Sequence, residues 1–206
     1  SFMIKIMDIP FHQRKRQINK KNNRESIITS SRKILTEKGI DNASVREIVS
    51  IANLGSGTFY NYFDDKNAVF LIIIERLVRE FSDYFMKRIN EAQTFDQIVK
   101  IAFSSWFNWI LDEEENYLFI KNNRKYILDL KWLSAHSKEY ARFNNNLYEF
   151  VIDISKKTKF PQNDISFMIT SVMAVCINLG DEMLTRSDVS PDDASNFATK
   201  LFLKGL

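Results

Sequence analysis

Residues 44–66, SVREIVSIANLGSGTFYNYFDDK, constrain the fold of this chain more than any other stretch. Ser44 is a favourable helix N-cap, and Glu47 three residues later completes a capping box. Asn53 suits the left-handed backbone conformation that ends a helix. Between these signals, apolar residues recur at helical spacing: Val45, Ile48, Val49 and Ala52. The stretch therefore predicts a short helix, a tight turn and a second short helix.

The second of these helices covers about residues 55–62, and its outer face is unusual. Phe59 and Phe63 are four residues apart, so both face inward. The outer face is small, polar and aromatic, with no acidic residue before Asp64: Ser56, Thr58, Tyr60, Asn61 and Tyr62. A packing helix has no need of such a face, whereas a helix that enters a negatively charged groove does.

Residues 24–70 resemble the DNA-binding domain of TetR-family (tetracycline-repressor-like) transcription regulators. The resemblance rests on an ordered set of residues over about a quarter of the chain: Arg24, Ile27, Ile34-Leu35, Gly39, Ser44-Val45, Ile48-Val49, Gly57-Thr58-Phe59-Tyr60, Tyr62-Phe63 and Lys66. The family's Ala-Gly-Val-Ser turn reads Ala52-Asn53-Leu54-Gly55 here, and Ser30-Ser31 replaces an Ala pair. The remaining three quarters match only the all-helical plan of the family.

This resemblance implies a helix-turn-helix that reads DNA. Arg46, in the first turn of the first motif helix, is expected to reach a base edge, since arginine to guanine is the commonest specific contact. The alternative for Arg46 is a surface ion pair with Asp41 or Glu47. The full set of DNA-binding residues implied by the resemblance is Arg24, Ser44, Arg46, Ser56, Gly57, Thr58, Tyr60, Asn61, Tyr62 and Lys66, the last as a phosphate contact.

The whole chain is predicted to be all-α, because five Gly and three Pro in 206 residues leave few turns for a sheet protein. We expect about nine helices in three parts: a basic arm (1–23), a three-helix helix-turn-helix domain (24–66), and a helical effector-binding and dimerisation domain (67–206). Capping and periodicity signals predict helices over residues 24–38, 66–90, 94–111, 117–131, 134–157, 164–186 and 191–204. By resemblance, the last two form a four-helix bundle in a homodimer.

Positive charge is concentrated at the N-terminal end of the chain. Residues 1–38 contain ten Lys and Arg against three Asp and Glu. The basic segment, residues 12–24, has no acid and supplies Arg14, Lys15, Arg16, Lys20 and Lys21. Next to a helix-turn-helix, this segment is expected to act as an arm that enters the DNA minor groove. The alternative is a solvated basic tail.

The larger domain is expected by resemblance to hold a small-molecule pocket with apolar walls. The candidate lining residues are Phe103, Trp106, Phe107, Tyr117, Tyr126, Phe143, Phe150, Phe167 and Met173, each of which serves equally well as core packing. Their aromatic and methionine content favours an apolar or amphipathic ligand, aromatic or fatty-acyl. Arg124 and His136 are candidates to anchor a polar end of it, or simply surface residues.

Other functional classes have little support in the sequence. His12 and His136 are the two histidines, and no catalytic triad order, metal-ligand cluster or glycine-rich phosphate loop is present, so no enzyme, metal site or cofactor is expected. One cysteine, Cys176, fits a reducing cytoplasm. No apolar run reaches membrane-spanning length. We expect a cytoplasmic repressor that binds a palindromic operator and responds to a ligand; the alternative is an architectural DNA-binding protein without an effector.

Overall fold

A computed structural model describes residues 11–112, 114–127, 129–158 and 164–204. The described residues are 87% helical and contain no strand, which confirms the all-α prediction. Eleven helices follow one another in these ranges: α1 (Phe11–Asn42), α2 (Val45–Ile51), α3 (Ser56–Tyr60), α4 (Lys66–Ile89), α5 (Phe95–Asp112), α6 (Glu114–Asn122), α7 (Arg124–Ile127), α8 (Leu130–His136), α9 (Lys138–Thr158), α10 (Ile165–Thr185) and α11 (Pro191–Lys204).

The chain divides into two compact units, residues 1–73 and residues 74–206. The first unit contains α1, α2, α3 and the beginning of α4. Its core consists of side chains that the apolar periodicity pointed inward, all with no exposed surface: Ile27, Leu35, Ile48, Phe59 and Val69. The domain boundaries expected at residues 23/24 and 66/67 remain predictions.

Helix α1 is longer than the sequence pattern indicated, because it begins at Phe11 instead of Arg24. The part of the basic segment that the structure describes is therefore helical and is not an extended arm. The helix is interrupted at Gly39, where φ is 74° and ψ is 165°. Glycine alone adopts this combination readily, so Gly39 ends the regular part of α1 as expected.

The second unit packs α4, α5, α9 and α10 around one apolar cluster, whose members include Phe85, Ile98, Phe143, Val151 and Ile165. Helix α11 packs against α5. Phe103 and Phe107 stack with ring centroids 6.2 Å apart, and Phe202 of α11 meets Phe103 edge-on at 6.0 Å. Aromatic pairs in these geometries are worth more than their buried area alone.

The predicted boundaries of two helices in the second unit were wrong. The single helix expected over residues 117–131 is divided among α6, α7 and α8. The first division occurs at Asn123, whose buried side-chain amide donates to the carbonyl oxygen of Phe119. The second occurs at Asp129, whose carboxylate caps α8 by accepting from the Trp132 backbone amide. Ser134 does not begin the next helix; Ser137 does, by accepting from the Tyr140 amide at 3.1 Å.

One helix, α10, is long and apolar enough to cross a membrane by length and composition, with a mean hydropathy of 1.4. No long uninterrupted apolar run marks this helix in the sequence, because Ser, Thr, Asn and Gly divide it into short apolar runs. Only 28% of its apolar window is buried. Phe167 on this helix is 76% exposed, so among the described residues part of the apolar surface of α10 is uncovered.

Candidate nucleic-acid interface and ligand cavity

The turn between α2 and α3 is built as the sequence predicts. The Ser44 hydroxyl accepts from the Glu47 amide at 3.3 Å, and the Glu47 carboxylate accepts from the Ser44 amide at 3.0 Å. This reciprocal pair confirms the capping box. Asn53 has a φ of 53°, the left-handed conformation that the turn requires. Gly55 is the N-cap of α3 without a side-chain hydrogen bond.

Arg46 lies exposed on α2, and Glu47, one of the two ion-pair partners that the sequence suggests for it, is already paired with other residues. The Lys38 ammonium and the Ser44 hydroxyl both bind the Glu47 carboxylate and hold the pKa of Glu47 at about 2. Glu47 therefore stays ionised and paired at any physiological pH. Arg46 forms no ion pair within the described residues, and its guanidinium remains available to an external acceptor.

The outer face of α3 is also exposed. Tyr60 is 59% exposed, with its ring edge against buried Phe59, and Ser56, Gly57 and Asn61 are exposed beside it. A Cβ atom added to Gly57 would meet no protein atom within 4 Å. Packing within the chain therefore does not require glycine here, whereas close approach of a second molecule's backbone would.

Several other predicted DNA-binding residues make contacts within the protein or are partly buried. The Ser44 hydroxyl donates to Glu47 at 2.6 Å. Arg24 pairs with Glu25 at 3.5 Å and lies over the Phe63 ring at 5.3 Å. Thr58 and Tyr62 are half-buried. The DNA contacts of all ten residues remain predictions.

Lys66 forms hydrogen bonds within the first unit. Its ammonium group donates to the carbonyl oxygens of Ile40 at 2.7 Å, Ala43 at 2.9 Å and Asp41 at 3.4 Å. These carbonyls belong to the end of α1 and the turn that precedes α2. The three protons of an ammonium group match these three acceptors.

We expect Lys66→Met to lower the free energy of unfolding by about 2–3 kcal/mol, because hydrogen bonds made by charged groups contribute about 1.5–3 kcal/mol. Urea denaturation measures this loss, and Lys33→Met, which removes an exposed lysine of α1, is the matched control. A variant of unchanged stability that loses about 0.9 from the salt slope of DNA binding would instead identify Lys66 as a phosphate contact.

An apolar cavity of about 150 Å³ lies inside the second unit, among α4, α5, α9 and α10. Three of the predicted lining residues contribute to its wall: Trp106, Phe143 and Met173. The Trp106 indole N–H has no hydrogen-bond partner in the described part of the chain. A Cβ atom on Gly180 would lie 2.8 Å from Ile110 Cδ1 and 3.1 Å from the indole nitrogen of Trp106, so a larger residue there would have to displace these side chains.

The other six predicted lining residues do not lie on this cavity. Phe103 and Phe107 are fully buried between α5 and α11, and Phe167 is exposed. Phe150 packs beside the main cluster. The two tyrosines contact polar or aromatic neighbours: Tyr126 meets Trp132 edge-on, and Tyr117 donates to Asp181.

The predicted polar anchors, Arg124 and His136, also have partners in the protein. Arg124 donates to the Asn178 side chain at 3.2 Å, and Lys121 pairs with Asp181 at 2.9 Å. These contacts attach α6 and α7 to α10. The His136 ring stacks on Trp132, with centroids 4.6 Å apart. Among the described residues, no group of three His, Cys, Asp or Glu side chains is placed to hold a metal.

The cavity wall also contains residues that are not among the predicted lining set. Phe81 and Phe85 belong to the apolar stripe of α4, which is equally typical of core packing, and Tyr140 lies in a largely polar stretch. Tyr140 could be found from its helical spacing with Phe143 and Leu147. Burial raises the pKa of Tyr140 to about 12 and raises the pKa of the Cys176 thiol, so both groups stay neutral.

Comparisons of sequence agree with this geometry. Residues 27–73 match the family described as bacterial regulatory proteins, tetR family. An uncharacterized HTH-type transcriptional regulator of Bacillus subtilis, YvdT, is 34% identical over 83 residues, which are 40% of this chain and 43% of that protein. The alignment therefore spans less than half the length of that relative. An HTH-type regulator of Staphylococcus aureus is 24% identical over 66% of this chain and 73% of its own.

Solved structures share the fold over almost the whole length. The fatty acid degradation regulator FadR from Bacillus halodurans superposes with a TM-score of 0.68 at 19% identity, covering 89% of this chain and 96% of that one. FadR from Bacillus subtilis, solved with stearoyl-CoA, gives a TM-score of 0.60 at 15% identity, covering 88% and 98%. At these identities the likeness establishes the fold alone.

Proposed function

We propose that this chain, which belongs to the TetR family of DNA-binding transcriptional regulators, is a ligand-controlled repressor. The observation that carries the proposal is the exposed face of α3 together with unpaired Arg46. The face can contact the groove of a DNA duplex, and the guanidinium can bind an acceptor on it. A regulator of this kind works in the cytoplasm, where its DNA is, and the free thiol of Cys176 is compatible with that compartment.

The operator is a palindrome bound by a homodimer. Two copies of α3 fit successive major grooves when they lie about 34–36 Å apart. The proposed dimer interface is formed by α10 and α11, which would pair with the same helices of a second copy. Its support is apolar surface left uncovered on both helices, at Phe167 and at Phe197, which is 49% exposed.

The effector is an apolar or amphipathic small molecule held in the second unit. The apolar cavity supports this proposal, as does the fold shared with a FadR that binds stearoyl-CoA. The ligand would act by population shift through α4, whose residues belong to both units. To release an operator almost completely, the ligand must favour the non-binding form by about 5 kcal/mol.

Selection of duplexes from a random pool, at two salt concentrations, tests the proposal. We expect enrichment of a palindrome whose half-sites lie about one helical turn apart. Retention of DNA without any enriched sequence, falling steeply as salt rises, would indicate purely electrostatic binding. That result would overturn the proposal of a repressor and favour an architectural DNA-binding protein without an effector.

Arg46→Ala should weaken binding to the selected operator by about 1–3 kcal/mol and relax the preference at one base pair, because the guanidinium is proposed to read a base edge. Fluorescence anisotropy with operator and single-base variants measures both effects. Arg186→Ala, at an exposed arginine paired with Asp188, is the control and should change neither. Unchanged discrimination in the Arg46 variant would remove its base-reading role.

A further inference from the structure

A second, polar cleft adjoins the apolar cavity of the second unit. It has a volume of about 560 Å³ and is bordered by α8, α9 and α10. Three residues line both spaces: Tyr140, Ile169 and Met173. The apolar cavity and the polar cleft are therefore neighbouring compartments with a shared wall of three side chains.

The chemistry of the polar cleft differs from that of the cavity. Lys131 is its one charged lining residue, and no acidic side chain is among the residues that line it. Ser134, Asn144, Ser166 and Thr170 add hydroxyl and amide groups. None of these five side chains is hydrogen-bonded or ion-paired within the described ranges. The cleft thus offers donors and one positive charge.

The shared wall contains a hydrogen bond that is easily exchanged. The Tyr140 hydroxyl of α9 donates to the Met173 sulfur of α10 at 3.8 Å. A thioether is a weak acceptor, and methionine changes conformation readily. The backbone of Tyr140 is meanwhile held by Ser137 at the start of α9. A ligand oxygen could replace the sulfur as acceptor without moving the helix.

The volumes indicate that the apolar cavity does not serve alone. A dry cavity of roughly 150 Å³ accommodates a molecule the size of benzene, and the apolar cavity here is about 150 Å³. Pockets for drug-sized ligands span about 300–1,000 Å³. A ligand that fills the apolar cavity and is larger than a single ring must continue through the shared wall into the polar cleft.

We infer that the effector is an amphiphile with an anionic head, whose tail enters the apolar cavity and whose head occupies the polar cleft. The Tyr140 hydroxyl donates to a head-group oxygen in place of the Met173 sulfur, and Lys131 supplies the opposite charge. This inference rests on the proposed function, since it names the chemical class of the same effector and the residues that select it.

The test uses the full-length protein and two probes with the same tail, decanoate and 1-decanol. Trp106 and Trp109 line the apolar cavity, so their emission reports entry of the tail. Decanoate should bind more tightly than decanol. Lys131→Gln should weaken decanoate binding about three- to fivefold at low salt, as for an exposed ion pair, and leave decanol binding within twofold.

Tyr140→Phe removes one hydroxyl and keeps the ring, so the fold is retained. It should weaken decanoate binding about tenfold or more and decanol binding only a few-fold, because hydrogen bonds to charged groups are the stronger ones. Lys138→Gln, on the neighbouring helix and outside both spaces, is the matched control and should change neither dissociation constant.

Absence of any change in tryptophan emission with both probes would overturn the inference. Equal dissociation constants for decanoate in the wild type, Lys131→Gln and Tyr140→Phe would overturn it as well. Operator binding is measured in parallel with decanoate present. If the variants behave as expected but decanoate leaves operator affinity unchanged, the inferred two-compartment site is supported and the proposed ligand control of repression is contradicted.

Discussion

Phe103→Ala is expected to lower the free energy of unfolding by about 3–5 kcal/mol, the usual cost of truncating a buried phenylalanine. Phe103 has no exposed surface and joins two helices, through Phe107 on α5 and Phe202 on α11. Total stability of a domain is about 5–15 kcal/mol. This single change therefore removes a large fraction of it.

Urea denaturation followed by tryptophan emission measures the effect, at one fixed protein concentration because the proposed dimer would add a concentration-dependent contribution to stability. Leu111→Ala is the matched control, since Leu111 lies on the same helix with 51% of its side chain exposed. Its effect should stay within about 0.5 kcal/mol. A loss below 1 kcal/mol for Phe103→Ala would contradict the packing role and return Phe103 to the list of cavity residues.

The sequence predicted local structure well because the signals are local. The capping box at Ser44 and Glu47, the left-handed Asn53 and the inward Phe59 each depend on neighbours within four residues. The start of α11 at Ser190 and Asp193 was predicted for the same reason, and its reciprocal hydrogen bonds are formed. Family and fold follow from such signals taken in order.

The cavity could not be predicted in the same way. An aromatic residue on an amphipathic helix is apolar whether it faces a cavity or a filled core, and only tertiary packing separates Trp106 from Phe107. The break at Asn123 was missed because asparagine is tolerated within helices. Lys66 is predicted from the sequence as a phosphate contact, because only the folded chain shows the three carbonyl oxygens that surround its ammonium group.

The basic segment combines high charge with exposure over most of its length. Residues 15–22 of α1 are exposed on every side, and the five cations Arg14, Lys15, Arg16, Lys20 and Lys21 lie within two turns. An α-helix with its side chains is about 10–12 Å wide, whereas the DNA minor groove is about 6 Å wide. As a helix, this segment cannot enter the minor groove and would lie across phosphates.

The direction of the helix supports the same placement. Arg24 lies about one turn before Ile28, on the side of α1 that is buried further along at Ile28 and Leu35, whereas Arg16 is about 120° round the helix axis from Ile28. Arg24 lies over Phe63, which follows α3. The basic segment therefore extends away from Phe63 near the end of α3, and Arg14 lies about 15 Å from Arg24 along the axis at 1.5 Å per residue.

We expect replacement of these five cations by glutamine to reduce the slope of log K against log[salt] by up to about 4.5, since each phosphate contact contributes about 0.9. Affinity at 0.1 M salt should fall roughly 10³-fold. The ratio of operator to random-sequence affinity should stay constant, because phosphate contacts carry no sequence information. Glutamine is a good helix former, so α1 is preserved.

A matched control removes five lysines from the second unit, Lys87, Lys100, Lys138, Lys156 and Lys157, and so changes the net charge equally. If the field of the whole protein attracts DNA, both variants lose the same slope and the basic segment has no special role. If the helix contacts phosphates, only the variant that lacks the five cations of the basic segment loses salt slope. A collapse of the operator preference in that variant would instead mean that the segment reads bases, which a helix lying outside the grooves cannot do.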